Sequence, residues 1–175
     1  YLSFAHQLAD KTGKILIKNY KSTSLSRSFK NIKNRKEIVT NVDIKIENVI
    51  RRSIFSKFPD HNVLGEEKGL THKKSKYTWI IDPIDGTKAF ASGIPVFGIM
   101  ICLKYDNEFI LGLVDQPVLK ERFWNDNTIS DIWKGMKNTL HLQNHLLNFL
   151  PLPNHIMQWS LRVVINGLGL VGKVD

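Results

Sequence analysis

The chain has 175 residues, of which 42% are hydrophobic and 23% charged, a composition typical of a globular domain that buries a sizeable core. Its net charge of +9 is concentrated in residues 1–36, which hold nine Lys or Arg residues against Asp10 alone. We interpret this segment as a solvated basic face and do not expect nucleic-acid binding. The longest apolar run, residues 93–103, is too short to span a bilayer, so no membrane segment is expected. Cys102 is the single cysteine, which excludes an internal disulfide.

Two amphipathic helices are predicted in the first third of the chain. Apolar residues recur every three or four positions over residues 2–20, and a second apolar stripe starts after Thr40 and ends before Pro59. Residues 21–28 lie between the helices, are polar and predict a loop. Asp43 follows Thr40 by three residues, the spacing of a capping box, so a purely structural role for its carboxylate stays open.

The middle of the chain predicts strands. Residues 62–65 form a short apolar run that breaks at Gly65, and residues 78–81 (TWII) lack polar alternation, which predicts a strand buried on both faces. Residues 96–124 predict a strand, an Asp-Asn turn, a second strand and a third strand after Pro117. These elements together predict an α+β fold with helices covering a largely antiparallel sheet.

The character of the chain changes near Asn125, where hydrophobic periodicity becomes poor. A helix over residues 138–149 and a strand over residues 161–165 are the only elements suggested there. The run GLGLVGK at 167–173 has the glycine spacing of a nucleotide-binding loop but too few residues after it for the required helix. The histidines of HLQNH at 141–145 lack the glutamate of a zinc motif, and we interpret both matches as chance.

Acidic residues follow three successive elements. Asp43 stands near a helix start, Glu66 and Glu67 follow one strand, and Asp82 and Asp85 follow another. Such residues converge at the carboxyl edge of an α/β sheet, where they repel one another unless cations neutralise them. Oxygen ligands with open positions suit Mg²⁺. Each of these acids, taken singly, can be explained by an ordinary structural role. Glu67 is expected to be solvated or to support a ligand.

The residues after this strand are suited to hold a phosphate. A turn stiffened by proline would let the carbonyl of Ile84 face a metal, and Gly86 would allow close approach of a phosphate to the backbone. The N–H groups of Gly86 and Thr87 would bind it if a helical turn begins there. The Thr87 hydroxyl, with Glu66, could orient and deprotonate a water. The acidic residues, the phosphate-binding backbone and this water together predict two-metal hydrolysis of a phosphate monoester.

The sequence resembles the inositol monophosphatase superfamily of Mg²⁺-dependent phosphatases over residues 2–124. Three ordered motifs carry the likeness: VTNVD at a helix start, GEE after a strand, and DPIDGT after a second strand. The resemblance implies a layered α/β sandwich and a set of oxygen ligands for two metals, namely Glu66, Asp82, the Ile84 carbonyl and Asp85. It also implies that Glu66 and Thr87 activate water, that Gly86 and Thr87 hold the phosphate, and that Asp43 supports the metal shell. Lys33 matches a basic residue of a mobile loop.

Within the superfamily, residues 85–103 and 112–124 are most similar to the histidinol-phosphate phosphatase branch. The resemblance therefore implies hydrolysis of histidinol phosphate to histidinol, a small-molecule phosphate monoester, in the cytoplasm, by a chain that could form a homodimer. An inositol-1-phosphate phosphatase is the alternative substrate assignment. A truncated, non-catalytic remnant that acts only as a binding module is the alternative from another class.

The chain departs from the family pattern downstream. The family completes its second metal site with a Trp-Asp-x-Ala-Ala/Gly motif, and no Trp-Asp pair occurs in this sequence. We therefore expect residues 1–124 to be a largely present N-terminal half. Residues 125–175 are expected to be an atypical tail that replaces a truncated or scrambled C-terminal half. A weak second metal site is expected for the same reason, and an inactive chain is an open alternative.

Overall fold

The computed structural model describes residues 1–32 and 35–125. The predictions for Lys33, for the helix and strand of the tail, and for the two glycine- and histidine-containing motifs lie outside these residues. The elements in chain order are α1 (Leu2–Asn19), β1 (Arg27–Ile32), β2 (Arg35–Thr40), α2 (Asn41–Lys57), β3 (Asn62–Gly65), β4 (Gly69–Thr71), β5 (Tyr77–Asp85), α3 (Thr87–Ala91), β6 (Gly98–Tyr105), β7 (Glu108–Gln116) and β8 (Glu121–Asn125).

Both long helices match their predicted bounds to within about a residue. Thr40 is the N-cap of α2, and its hydroxyl accepts the N–H groups of Val42 and Asp43. The Asp43 carboxylate in turn accepts the Thr40 N–H at 2.9 Å, so the capping box is present. This arrangement satisfies N–H groups that a helix start otherwise leaves unpaired, and it fixes where α2 begins.

Six strands form one mixed sheet in the order β4-β3-β5-β6-β7-β8. The β3–β5 pair is parallel, and the other neighbouring pairs are antiparallel. Helices α1 and α2 pack against each other and against β5, β6 and β7. The predicted α+β architecture with an antiparallel-rich sheet is therefore confirmed, and the predicted chain of three strands after residue 96 is present as β6, β7 and β8.

The core lies between the two helices and the sheet. It consists of fully buried aliphatic and aromatic side chains, among them Leu8, Leu16, Ile46, Ile50, Ile54, Trp79, Ile99, Ile101, Leu103 and Leu113. In β5, Trp79 and Ile81 are buried while Thr78 and Ile80 are partly exposed, so residues 78–81 alternate and are not buried on both faces as predicted. None of the helices in the described part of the chain is long and apolar enough to cross a bilayer.

The hairpin of β1 and β2 was not predicted. It forms a separate two-stranded antiparallel sheet, from Arg27 paired with Thr40 to Ile32 paired with Arg35. The predicted loop over residues 21–28 therefore ends at Ser26. The hairpin is tied to the main body by the Arg27 guanidinium, which donates to the carbonyl of Ala91 at the end of α3.

Candidate active site

Parallel pairing of β3 and β5 brings two acidic loops to one edge of the sheet. Gly65, the last residue of β3, pairs with Ile81, and the N–H of Glu66 donates to the Ile81 carbonyl at 3.2 Å. Glu66 therefore follows β3 at the level where Asp82 follows Ile81 in β5. The convergence of carboxylates predicted from the sequence is present, because parallel strands end at the same edge.

A β-bulge turns Asp82 and Asp85 toward each other. Asp82 pairs with Met100 and Asp85 with Gly98, so β5 advances three residues while β6 advances two. Side chains three apart in a regular strand point to opposite faces, and the extra residue of the bulge reverses that relation. Pro83, which lacks an N–H, is tolerated at such a position. The predicted turn is therefore the bulged end of a strand, and it places both aspartates at one site.

The electrostatics of this cluster favour uptake of a cation. Asp82 is buried, and burial together with the charges of Glu66, Asp85 and Asp43 raises its pKa well above the ordinary value. Burial and the charge of Glu66 raise the pKa of Asp85 to about 7. Mutual repulsion of this kind is relieved by a divalent ion, whose charge favours the ionised form of every acid in the cluster.

The donor set fits Mg²⁺ in chemistry, because carboxylates and a carbonyl supply oxygen ligands, but the side chains are not arranged as a coordination shell. The Glu66 side chain lies close enough to Asp82 to raise the pKa of that carboxyl, and one Asp82 oxygen accepts the N–H of Ile84 at 3.1 Å. Across residues 1–32 and 35–125, no three acidic, histidine or cysteine side chains are spaced as a completed metal site. The acidic side chains must therefore rearrange before they can bind a cation.

Thr87 links the acidic end of β5 to α2. Its hydroxyl lies 3.1 Å from Asp43 Oδ1 and 2.9 Å from the Ile84 carbonyl, and it can donate its proton to either oxygen. Asp43 therefore does two things, because one oxygen caps α2 and the other faces Thr87. The Thr87 oxygen keeps its lone pairs available to accept a hydrogen bond from a water. The capping-box role of Asp43 is thus confirmed, and its support of a metal shell stays a prediction.

Gly86 is required by the backbone at this point. It is the N-cap of the short helix α3 and has a positive φ of 85°, a conformation that glycine adopts without penalty. A Cβ atom at this position would lie 2.9 Å from the carbonyl oxygen of Val96. Phosphate binding by the N–H groups of Gly86 and Thr87 stays a prediction, and α3 begins where that prediction placed a helical turn.

Lys30 of the β1–β2 hairpin reaches into the acidic cluster. Its ammonium lies 3.1 Å from Glu66 Oε1 and 2.8 Å from Glu67 Oε1. Burial alone would lower the pKa of Lys30, but its bonds to the two glutamates raise it. The Glu67 side chain is only 5% exposed, and burial raises its pKa to about 7 despite Lys30. The alternative that Glu67 is solvated is therefore wrong, and its support of a ligand stays a prediction.

The sequence model of the inositol monophosphatase family matches residues 1–145. The chain belongs to this family. The match extends beyond residue 124, where the likeness was expected to fade, and the division into residues 1–124 and a tail stays a prediction. The layered α+β fold of the family is confirmed by solved structures. The Thermotoga maritima IMPase has a TM-score of 0.67 at 31% identity, over 77% of this chain and 51% of that one.

Two of the curated relatives are named as phosphatases. The chloroplastic bifunctional phosphatase IMPL2 of Arabidopsis thaliana is 40% identical over 126 residues, which cover 70% of this chain and 35% of the relative. The histidinol-phosphatase of Chlorobaculum parvum is 37% identical over 122 residues, which cover 70% of this chain and 46% of the relative. The chain thus spans less than half the length of these two relatives.

Sequence reasoning missed two groups around the site. Lys30 was counted only as part of a basic segment, because its strand has no apolar pattern. Glu47 and Arg51 were not singled out, although they follow Asp43 at four-residue intervals on α2 and are both buried. That spacing was the available signal, since residues four apart lie on one face of a helix.

Proposed function

We propose that this chain carries the metal- and phosphate-binding part of a Mg²⁺-dependent phosphate monoester hydrolase. The convergence of Asp43, Glu66, Asp82, Asp85 and Thr87 at one sheet edge carries the proposal. Burial and neighbouring acidic charges raise the pKa of Asp82 and Asp85, which favours a cation at this edge. The residues that follow begin a helix, whose first N–H groups can bind a phosphate. In this proposal the ligands are Glu66, Asp82, the Ile84 carbonyl and Asp85.

The proposed reaction uses the chain's own groups to orient and deprotonate water. Two Mg²⁺ ions, when bound, neutralise the phosphate charge and lower the pKa of water. The Thr87 oxygen accepts one hydrogen bond from the attacking water, because Thr87 directs its own proton to Asp43 or Ile84. The Glu66 carboxylate takes a proton from that water as its oxygen bonds to phosphorus. The ester P–O bond breaks, and the leaving alcohol oxygen takes a proton from solvent.

We propose histidinol phosphate as the substrate. The support is the likeness of residues 85–103 and 112–124 to that branch, together with the histidinol-phosphatase among the relatives. Inositol 1-phosphate is the competing substrate. Cytoplasmic location and homodimer formation stay predictions.

A phosphate-release assay on the 175-residue chain tests the proposal. With Mg²⁺ we expect release from L-histidinol phosphate to be faster than from inositol 1-phosphate, and no release with a chelator. Asp82→Asn should lower the activity by more than the roughly 10- to 100-fold loss that is typical when a group that only supports a metal ligand is replaced.

Asp106→Asn is the matched control, because Asp106 is 51% exposed and pairs with the exposed Lys76. It should leave release unchanged. No release from either substrate, together with no binding of Mg²⁺, would overturn the proposal in favour of a non-catalytic remnant. Faster release from inositol 1-phosphate would overturn only the substrate assignment.

A further inference from the structure

One face of α2 is polar although it is buried. Asp43, Glu47 and Arg51 follow one another at four-residue intervals, so their side chains line one face of the helix. Glu47 has no exposed surface and Arg51 is 6% exposed. Buried charges at these positions are costly unless each is hydrogen-bonded, and their partners therefore show what the face contributes.

The Glu47 carboxylate binds the backbone of the loop that carries Glu66. One oxygen accepts the N–H of Glu67 at 2.8 Å, and the other accepts the N–H of Lys68 at 3.1 Å. The second oxygen also accepts from Arg51 Nε at 2.8 Å. Both carboxylate oxygens are thus used, and two of their three partners belong to consecutive residues of this loop.

Arg51 holds the strands on both sides of the same loop. Its guanidinium donates to the Val63 carbonyl in β3 at 3.3 Å and to the Thr71 hydroxyl in β4 at 2.9 Å. It also donates to the carbonyl of Gly69, where β4 begins. Glu47 and Arg51 therefore fix the loop and its flanking strands against one helix.

The end of β3 packs directly on this ion pair. A Cβ atom at Gly65 would lie 2.3 Å from Glu47 Oε1 and 2.9 Å from an Arg51 nitrogen. Both contacts are closer than any side chain permits, so only glycine fits between the strand and the buried charges. Gly65 directly precedes Glu66, and the position of the carboxylate therefore determines where Glu66 leaves the sheet.

We propose that Glu47 is a positioning residue for the metal site, holding residues 66–68 so that Glu66 faces Asp82. Asp43, one turn earlier, bonds Thr87 of the other acidic loop. A single helix face thus sets the distance between the two loops that carry the ligands. The inference rests on the proposed function, because Glu66 and Asp82 are proposed metal ligands.

Glu47→Gln in the 175-residue chain tests this role. The side chain keeps its size, but an NH₂ group replaces one carboxylate oxygen. This NH₂ group faces an N–H donor and cannot accept a hydrogen bond from it. We expect the Mg²⁺ affinity, measured by calorimetry, to fall about tenfold, as is typical when a group behind a ligand is lost. Hydrogen exchange at the amides of Glu67 and Lys68 should become faster, and the circular dichroism spectrum should remain that of a folded chain.

Asn62→Asp is the matched control. The Asn62 side chain anchors a different loop at the opposite end of β3, where it accepts the N–H of Lys73 at 2.7 Å and donates to the Ser75 carbonyl at 2.7 Å. Like Glu47→Gln, the substitution Asn62→Asp exchanges an amide and a carboxylate of equal size at a buried residue that anchors a loop. We expect it to reduce the free energy of unfolding while leaving the Mg²⁺ affinity within about twofold of wild type.

Wild-type Mg²⁺ affinity in Glu47→Gln, or an equal loss in Asn62→Asp, would overturn the inference, since Glu47 would then stabilise the fold without positioning the site. If the wild-type chain binds no Mg²⁺, the proposed function fails. The inference is then decided by hydrogen exchange, and unchanged protection of the Glu67 and Lys68 amides in Glu47→Gln would overturn it as well.

Discussion

Acidic side chains at the end of β5 carry an electrostatic cost in the described fold. Asp82 and Asp85 lie beside Glu66, and burial and mutual repulsion raise the pKa of both aspartates. The folded chain therefore holds protons at these positions that the unfolded chain has already lost at the same pH. This difference makes stability depend on pH in a direction that can be stated.

The free energy of unfolding of the chelator-treated chain should carry a penalty from Asp85 that grows as pH rises. Below the unfolded pKa of about 3.8 both states are protonated and there is no penalty. Between that value and the folded pKa of about 7 the unfolded state ionises alone, so stability is lost across this window. Asp85→Asn does not titrate, and its stability advantage over wild type should increase by on the order of 4 kcal/mol from pH 4 to pH 8.

Urea unfolding of both proteins at a series of pH values measures this difference. Asp106→Asn is again the control, because replacing an exposed carboxylate should change the free energy of unfolding little at any of these pH values. An advantage for Asp85→Asn that is constant between pH 4 and pH 8 would contradict the electrostatic account of the cluster.

The ligand candidates at the scale of single residues were predictable because they stand in short ordered motifs at element ends. The bulge between Asp82 and Asp85 was not, because its extra residue is defined by pairing with β6 and not by local composition. The role of Glu47 was hidden for a related reason. A charged residue within a helix ordinarily faces solvent, and only the packing of β3 against α2 shows that this one does not.

The β1–β2 hairpin is the element whose stability depends most on a few side-chain links. A two-stranded sheet is marginal by itself, and this one is separate from the main sheet. Its links to the main body include Lys30 with Glu66 and Glu67, and Arg27 with the Ala91 carbonyl. Loss of one link should therefore loosen the hairpin before it affects the sheet.

Lys30→Met should make amide exchange in β1 and β2 several-fold faster while exchange in β5 and β6 stays unchanged. The substitution keeps an apolar stem but removes both ion pairs with the loop after β3. Lys76→Met is the control, because its ion pair with Asp106 is exposed on both sides and contributes little. Equal exchange in the hairpin of wild type and Lys30→Met would show that Lys30 does not hold it.

The sequence predicted the elements with strong periodicity and missed those without it. Helices α1 and α2 were predicted at nearly their observed bounds, and strands β5 to β8 were predicted from their apolar patterns, although β5 (Tyr77–Asp85) is longer than the predicted strand over residues 78–81. Strands β1 and β4 are polar or short, so the local sequence pattern does not predict them. They are defined by their pairing with neighbouring strands. The loop predicted over residues 21–28 accordingly continues as a strand from Arg27.

At the scale of the whole molecule, the described residues combine a six-stranded sheet with one acidic edge, two helices that cover it and a separate two-stranded sheet. The family match shows what kind of fold this is, while the chain spans less than half the length of the two curated relatives compared. The central claim is that the acidic edge binds Mg²⁺ through this chain's own carboxylates. If it does, ion binding must stabilise the folded state, because the unfolded chain does not assemble the site.

Thermal unfolding of the 175-residue chain with and without Mg²⁺, at constant ionic strength, measures this most directly. A free ion concentration about 100 times the dissociation constant contributes about 2.7 kcal/mol. We therefore expect the wild-type midpoint to rise by roughly 5 to 10 °C. Asp82→Asn should show no such rise, and Asp106→Asn should behave as wild type. A wild-type midpoint unchanged by Mg²⁺, or an equal rise in Asp82→Asn, would contradict the account.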